Sequence, residues 1–250
     1  MQKKSLIISS TLFAVAASAS VAVADVNQPQ EIIMRPMTTP MSQLTVGGDL
    51  FLGFDPTTMG LDVGAAYGVS DKIEVNAGYA LSLKEFEAKG DLHVEGAFNI
   101  MEGNLGVAAQ ATLGYNLLFE GLDPLGAGAR VRFRLNDQMA IVSPGNQLVV
   151  TLDPIEVAPG VDFSPIFLQV PVGFAFQASP QIYAFANTNL AVIEISDAES
   201  GVIFADFIPL SLGAFFSPSN TMDLGASLDL GDLKADEIDV GVIAHARLHM

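Results

Sequence analysis

The chain contains no cysteine and no tryptophan, and only 11 of its 250 residues are lysine or arginine, against 28 aspartates and glutamates. Without thiols, disulfide frameworks, thiolate zinc sites, iron–sulfur clusters and cysteine nucleophiles are excluded. The excess of acid removes the basic footprint that nucleic acid demands, so nucleic acid is not expected as a partner. Charge of either sign is scarce too. With 16% charged residues and 50% hydrophobic ones, the composition does not fit a disordered polymer. After the first two dozen residues no apolar run reaches the roughly 18 residues of a helical membrane span. Hydrophobicity is instead spread over short segments.

At the N-terminus, Lys3 and Lys4 precede an apolar stretch from Leu6 to Ala17, and small residues follow. This order predicts a secretory signal peptide over residues 1–24, cleaved after Ala22-Val23-Ala24, with Ala17-Ser18-Ala19 as second choice. Residues 25–42 then form a flexible arm, with Pro36 and Pro40 as turn formers. Met34, Met37 and Met41 are soft donors in that arm, but an apolar linker is the commoner meaning.

From residue 43 onward one period dominates. Ile73, Val75, Ala77, Tyr79, Leu81 and Leu83 alternate with Glu74, Asn76, Gly78, Ala80 and Ser82, as in a strand with unlike faces. Between Ala127 and Leu135 the apolar residues alternate with Gly128, Arg130, Arg132 and Arg134, so three arginines share one face. The last segment sets Ile238, Val240, Val242, Ala244, Ala246 and Leu248 against Asp239, Gly241, Ile243, His245, Arg247 and His249. Applied along the chain, the template gives about twelve strands. They lie near 43–54, 60–68, 72–83, 91–100, 104–119, 126–136, 138–153, 165–177, 181–193, 202–217, 220–231 and 237–249. Pro144, Gly145 and Pro154 interrupt the seventh, and Pro171 and Pro209 belong at bulges or strand ends; if these residues end strands, the count becomes ten.

Connections alternate in kind. Tight turns fall at Val69-Ser70-Asp71, Met101-Glu102-Gly103, Asn136-Asp137, Ser179-Pro180 and Ser217-Pro218-Ser219. The longer connections carry acid, including Glu85, Glu87, Asp91, Glu120, Asp123, Asp153, Glu156, Asp162, Asp197, Glu199, Asp232, Asp236 and Glu237. Short turns at one end and long loops at the other describe an up-and-down antiparallel sheet. A soluble sandwich would usually carry many Lys and Glu on its solvent face. Here the polar face is Gly, Ala, Asn, Gln, Ser and a few charges, while the apolar stripe recurs on nearly every strand. A sheet facing hydrocarbon must close, and its tilted strands need only about 9 to 11 residues.

In its export signal, dyad strands, Ser-Asp and Ser-Pro turns and alternating last strand, the chain resembles Gram-negative outer-membrane β-barrel proteins of the porin kind, with no specific family assigned. The likeness covers about residues 43–250. It departs at the end, where those proteins usually carry an aromatic residue and this chain has Met250. The resemblance implies an all-β, up-and-down antiparallel transmembrane barrel in the outer membrane. The arm and short turns would then be periplasmic, and the partners would be the lipid bilayer, lipopolysaccharide and the outer-membrane assembly machinery. Girdle aromatics near strand ends would include Phe51, Phe54, Tyr67, Tyr79, Phe119, Phe176, Tyr183, Phe204, Phe215 and Phe216.

With the apolar parity in lipid, the pore receives Asp49, Asp62, Glu74, Glu95, Arg130, Arg132, Arg134, Asp239 and Arg247. Facing carboxylates, the arginine ladder would set a transverse field across a narrow passage, or pair across a blocked one. The expected function is a passive, cation-leaning channel for ions or small solutes. The alternative is a non-conducting structural or adhesive barrel whose acidic loops bind divalent cations and bridge to lipopolysaccharide. An enzyme would need a nucleophile and base; Ser82 and His93, as cross-strand neighbours with Glu95 beyond, are permissible but lack a supporting motif, so no catalytic residue is assigned. No cofactor is expected. Four residues apart on one strand, His245 and His249 stand about 13 Å from each other, too far to share a metal ion.

Overall fold

The structure is a computed structural model that describes residues 26, 28–54, 57–83, 89–116, 121–152, 155–158, 161–163, 166–195, 202–204, 208–233 and 238–250. Period-two patterning becomes strand wherever it is clean. β1 (Leu44–Phe54), β2 (Thr57–Ser70), β3 (Ile73–Ser82), β4 (Lys89–Met101), β5 (Leu105–Asn116) and β6 (Gly121–Arg134) pair antiparallel in sequence order. The seventh barrel strand is broken into β7 (Met139–Ser143) and β8 (Leu148–Val150), both lying between β6 and a later long strand. A separate hairpin, β9 (Ile155–Ala158) and β10 (Val161–Phe163), leads to that strand, β11 (Ile166–Ser179). Next come β12 (Ile182–Glu194), another broken strand formed by β13 (Val202–Phe204) and β14 (Leu210–Ser219), then β15 (Met222–Leu230) and β16 (Val240–His249). β16 pairs with β1 from Thr45↔His249 to Gly53↔Gly241, which closes an antiparallel barrel of 12 strands. The count of ten is not what forms.

Proline explains the breaks. Pro171 sits at a register shift of β11, Pro218 at one of β14, and Pro209 just before β14 begins. At Pro144 the seventh strand turns inward through Gly145 and Asn146, at φ +99° and +55°; the left-handed region is why a glycine and an asparagine stand there. The missing rungs are replaced by a side chain. Gln147 Oε1 accepts from the Ala129 N–H at 2.6 Å, and Gln147 Nε2 donates to the Ala129 carbonyl at 2.8 Å. Both backbone groups of Ala129 thus find partners at the gap.

Short turns gather at one end. Ser70 Oγ accepts from the N–H groups of Lys72 and Ile73, Asn136 Oδ1 from those of Gln138 and Met139, and Ser179 Oγ from those of Gln181 and Ile182. These side chains close the turns locally, which is why Ser and Asn mark them. The last turn falls at Asn220-Thr221, slightly later than expected, because the Pro218 bulge extends β14. Both ends of the barrel chain meet at this turn end, where Leu44 and Met250 exchange backbone hydrogen bonds.

The alternation sorts the faces as expected. Val46, Val63, Val75, Leu92, Val94, Phe98, Phe133 and Leu190 point outward and are exposed, forming an apolar belt that in water would lie uncovered. Their strand neighbours Glu74, Gln110, Asp223 and Ser227 face the lumen and are buried. An arginine in the middle of that belt should be costly. Val94→Arg, at a site 52% exposed on β4, is expected to destabilise the barrel by about 2 to 4 kcal/mol, read as a lowered urea midpoint in lipid vesicles. A midpoint unchanged by the arginine would place β4 away from hydrocarbon.

Candidate functional site

The lumen is built by the inward parity of every strand, and the arm fills its turn end. Residues 28–42, expected as an arm free of the barrel, lie across the inner wall and carry a short 3-10 turn, Ile32–Met34. Ile33 is 1% exposed and packs on Ala140 and Ala175, with Val142 and Tyr183 beside them. Small residues on β7 and β11 make that room. A Cβ at Gly68 would fall 2.0 Å from the Pro40 carbonyl oxygen, and one at Gly106 2.8 Å from Met37 Cγ, so the arm rests directly on bare backbone. The physical cause is polar satisfaction, because charged groups inside a closed wall require partners and the arm supplies carbonyls and a guanidinium.

The three arginines of β6 act in this way. Arg130 Nη1 donates to the Met37 carbonyl at 3.4 Å, Arg132 Nη1 to the Arg35 carbonyl at 2.6 Å, and Arg134 Nη1 lies 2.7 Å from Met34 Sδ. Arg130 also bonds Glu74 Oε1 at 3.0 Å and Glu95 through its other terminal nitrogen, while Gln110 Oε1 accepts from its Nε at 2.7 Å. Glu74 in turn accepts from the Thr39 N–H and hydroxyl. Arg132 lies 3.6 Å from Glu102, whose carboxylate accepts from the Met37 N–H.

A second anchor sits on the opposite wall. Arg35 clamps Asp223 with two nitrogens at 2.5 and 2.8 Å, and Ser217 Oγ and His249 Nε2 approach the same carboxylate at 2.6 and 2.8 Å. Bidentate guanidinium–carboxylate pairs of this kind are the strong, directional ones. Asp223 is 1% exposed, and His249 Nδ1 passes the network on to Thr45 at 2.9 Å.

An inward row of rings runs across β12, β14 and β16. Tyr183 and Phe185 ring centres are 6.3 Å apart, Phe185 and Phe215 5.9 Å, Phe215 and His245 5.2 Å, and the Arg247 guanidinium stands 4.9 Å over Phe215. This corrects the girdle assignment of Phe51, Tyr183 and Phe215, which share parity with Asp49, Asn187 and Ser217 and face the lumen. That polar parity was the signal available in sequence. His245 lies 2.8 Å from Asp49 through Nδ1 and 3.1 Å from Ser227 through Nε2, so one imidazole ties β1 to β15. Ser227 is 5% exposed, and its strand N–H groups are engaged in the ladder.

The remaining expected pore residues divide between two cavities. Asp49, Asp62, Glu74, Arg130 and Arg247 line one of about 510 Å³ shared with the arm, whereas Asp239 lines one of about 730 Å³ toward the loop end. Ser82 and His93 are not neighbours: Ser82 pairs with Lys89, and the His93 ring lies over Gly78. The acidic loop residues mostly fall outside the described residues or side chains; Asp232 is described, and it accepts from the Ile208 N–H at 3.0 Å. The signal segment also lies outside them.

A closed twelve-stranded barrel with an apolar outer belt and a charged lumen defines the porin-like class of outer-membrane β-barrel folds. No protein-family model matches the chain, and no curated protein matches it significantly. Solved structures do. The NanC porin superposes with a TM-score of 0.62 at 8% identity, covering 82% of this chain and 98% of that one. The KdgM porin gives 0.54 at 5% over 82% and 98%, and it has also been seen in complex with disordered oligogalacturonate. An outer-membrane channel from Pseudomonas putida F1 gives 0.52 at 11%, over 84% of this chain and 96% of that one. At such identities the likeness is one of fold.

Proposed function

We propose that the protein is a passive channel for ions and small hydrophilic solutes in a Gram-negative outer membrane, whose own N-terminal arm narrows the turn end. The observation that supports it best is the lumen: a closed wall with an apolar exterior encloses two cavities, one of about 510 Å³ lined largely by polar and charged groups and one of about 730 Å³ in which asparagines and two aspartates stand among apolar residues. A purely structural barrel needs no such chambers. Export by residues 1–24, delivery to the assembly machinery, a periplasmic turn end and outer loops near lipopolysaccharide complete this reading. Catalysis is assigned to none of its residues.

Reconstitution in a planar bilayer tests it, with discrete conductance steps expected; a silent bilayer, with folded insertion verified and the arm removed, would overturn it. The channel should lean toward cations, because Asp229 and Asp239 line the loop-end cavity, where no Lys or Arg is among the described lining residues. Arg247→Gln removes a lumen cation with no acidic partner within ion-pair distance among the described residues. It should therefore move the reversal potential further toward the cation value under a salt gradient. A reversal potential that stays put would take Arg247 off the ion path.

A further inference from the structure

The loop-end cavity is chemically unlike the rest of the lumen, and we infer that it is a binding site for an uncharged sugar ring, the solute the channel admits. This rests on the channel reading and names its substrate class. Three observations carry it. The first is a stacking platform: a Cβ at Gly241 would fall 2.5 Å from Phe51 Cε2, so the glycine lets the Phe51 ring lie flat on the wall beside the cavity. An aromatic face offered in this way suits the apolar C–H face of a pyranose.

The second is the hydrogen-bonding inventory around that ring. Asn187, Asn189, Ser211, Asp229 and Asp239 all line the cavity. Among the described residues the carboxamide oxygens of Asn187 and Asn189 are buried and find no donor, although nearly all such groups are satisfied in folded chains. Hydroxyl groups of a bound solute are donors of the required kind, met once a carboxamide turns toward the cavity; Asn187 would turn from the bare backbone of Gly173, against which its oxygen rests. Ser211 Oγ donates to Asp229 Oδ1 at 2.5 Å, leaving the second carboxylate oxygen for a ligand. The third observation is charge. Two aspartates with no Lys, Arg or His among the described lining residues disfavour a carboxylate-bearing sugar. Arg130 and Arg247 line the other cavity, shared with the arm, and Arg132 and Arg134 bond the arm itself. Neutral polyols make good use of aspartate, whose two oxygens accept from neighbouring hydroxyls, and they meet no repulsion.

The site can be tested without any ion flow, since binding to the detergent-solubilised full-length barrel does not require an open passage. Equilibrium binding would be measured with maltose, galacturonate and glucosamine as the neutral, acidic and cationic probes, with heat-modifiable migration verifying a folded barrel in each sample. Saturable maltose binding is expected, at least about tenfold tighter than galacturonate. Phe51→Ala and Asn187→Ala should each weaken it by about tenfold, through lost stacking and lost hydrogen bonding. Absence of saturable maltose binding overturns the inference, as does maltose binding indifferent to Phe51→Ala. A preference for galacturonate or glucosamine overturns the uncharged class. A barrel that binds maltose but stays silent in bilayers would remove the channel reading while leaving this site intact.

Discussion

Deletion of residues 26–42 should raise single-channel conductance several-fold, or turn a silent barrel into a conducting one. The arm is held from many sides: by Glu74 on β3, by the three arginines of β6, by Gln177 on β11, and by Asp223 and His249 on β15 and β16. It lies where the lumen is most charged, so ions entering from the turn end meet its backbone first. Removing it frees the width it occupies and exposes Arg130, Arg132, Glu74 and Asp223 to water. Arg35→Ala is the gentler variant, because it abolishes the clamp on Asp223 and leaves the rest of the arm in place. Frequent flicker between a low and a higher conductance level is expected from it. If the deletion keeps heat-modifiable migration yet conducts as the full chain does, the arm is not what narrows the passage.

Arg130→Ala should be among the most destabilising single changes in the barrel. The side chains of Glu74 and Glu95 are 6% and 13% exposed, and this one guanidinium compensates both. Stripping it away leaves two carboxylates facing each other inside the wall without a cation, with Gln110 deprived of its donor. Breaking a buried pair by removing one member costs about 3 to 5 kcal/mol, with the lower value apt for a lumen that water reaches. The check is a urea midpoint in vesicles, scored by the folded band on a gel. A triple variant with Glu74→Gln and Glu95→Gln added should recover most of the loss, since the amides need no counter-charge. Equal stability of the single and triple variants would show that repulsion between the carboxylates is not the cause.

Much of the barrel was legible in the sequence because a wall with lipid on one side and polar groups on the other must alternate strictly. Ile73 to Ser82 and Ala127 to Arg134 carry that alternation without a fault, and both are strands over those residues. The seventh strand was the least clean, and it is one of the two that break, at the Pro144-Gly145 interruption. What alternation does not carry is the inside. Glu74, Glu95 and Arg130 were each assigned inward, but their convergence depends on register between β3, β4, β5 and β6, which a single sequence does not print. The arm was harder still. Its Pro and Met residues suit a linker, and nothing local announces that Arg35 finds Asp223 far along the chain. A hint existed in the small residues Ala140 and Ala175, which leave a recess on one wall that Ile33 fills.

Because Arg35 is gripped by Asp223 on β15 and His249 on β16, the arm that precedes the barrel is fastened by its last two strands to be synthesised. A cylinder missing its final hairpin would have nothing to hold that stretch inside. Docking of the arm thus depends on β15 and β16 lying in register, beside the seam where β16 meets β1.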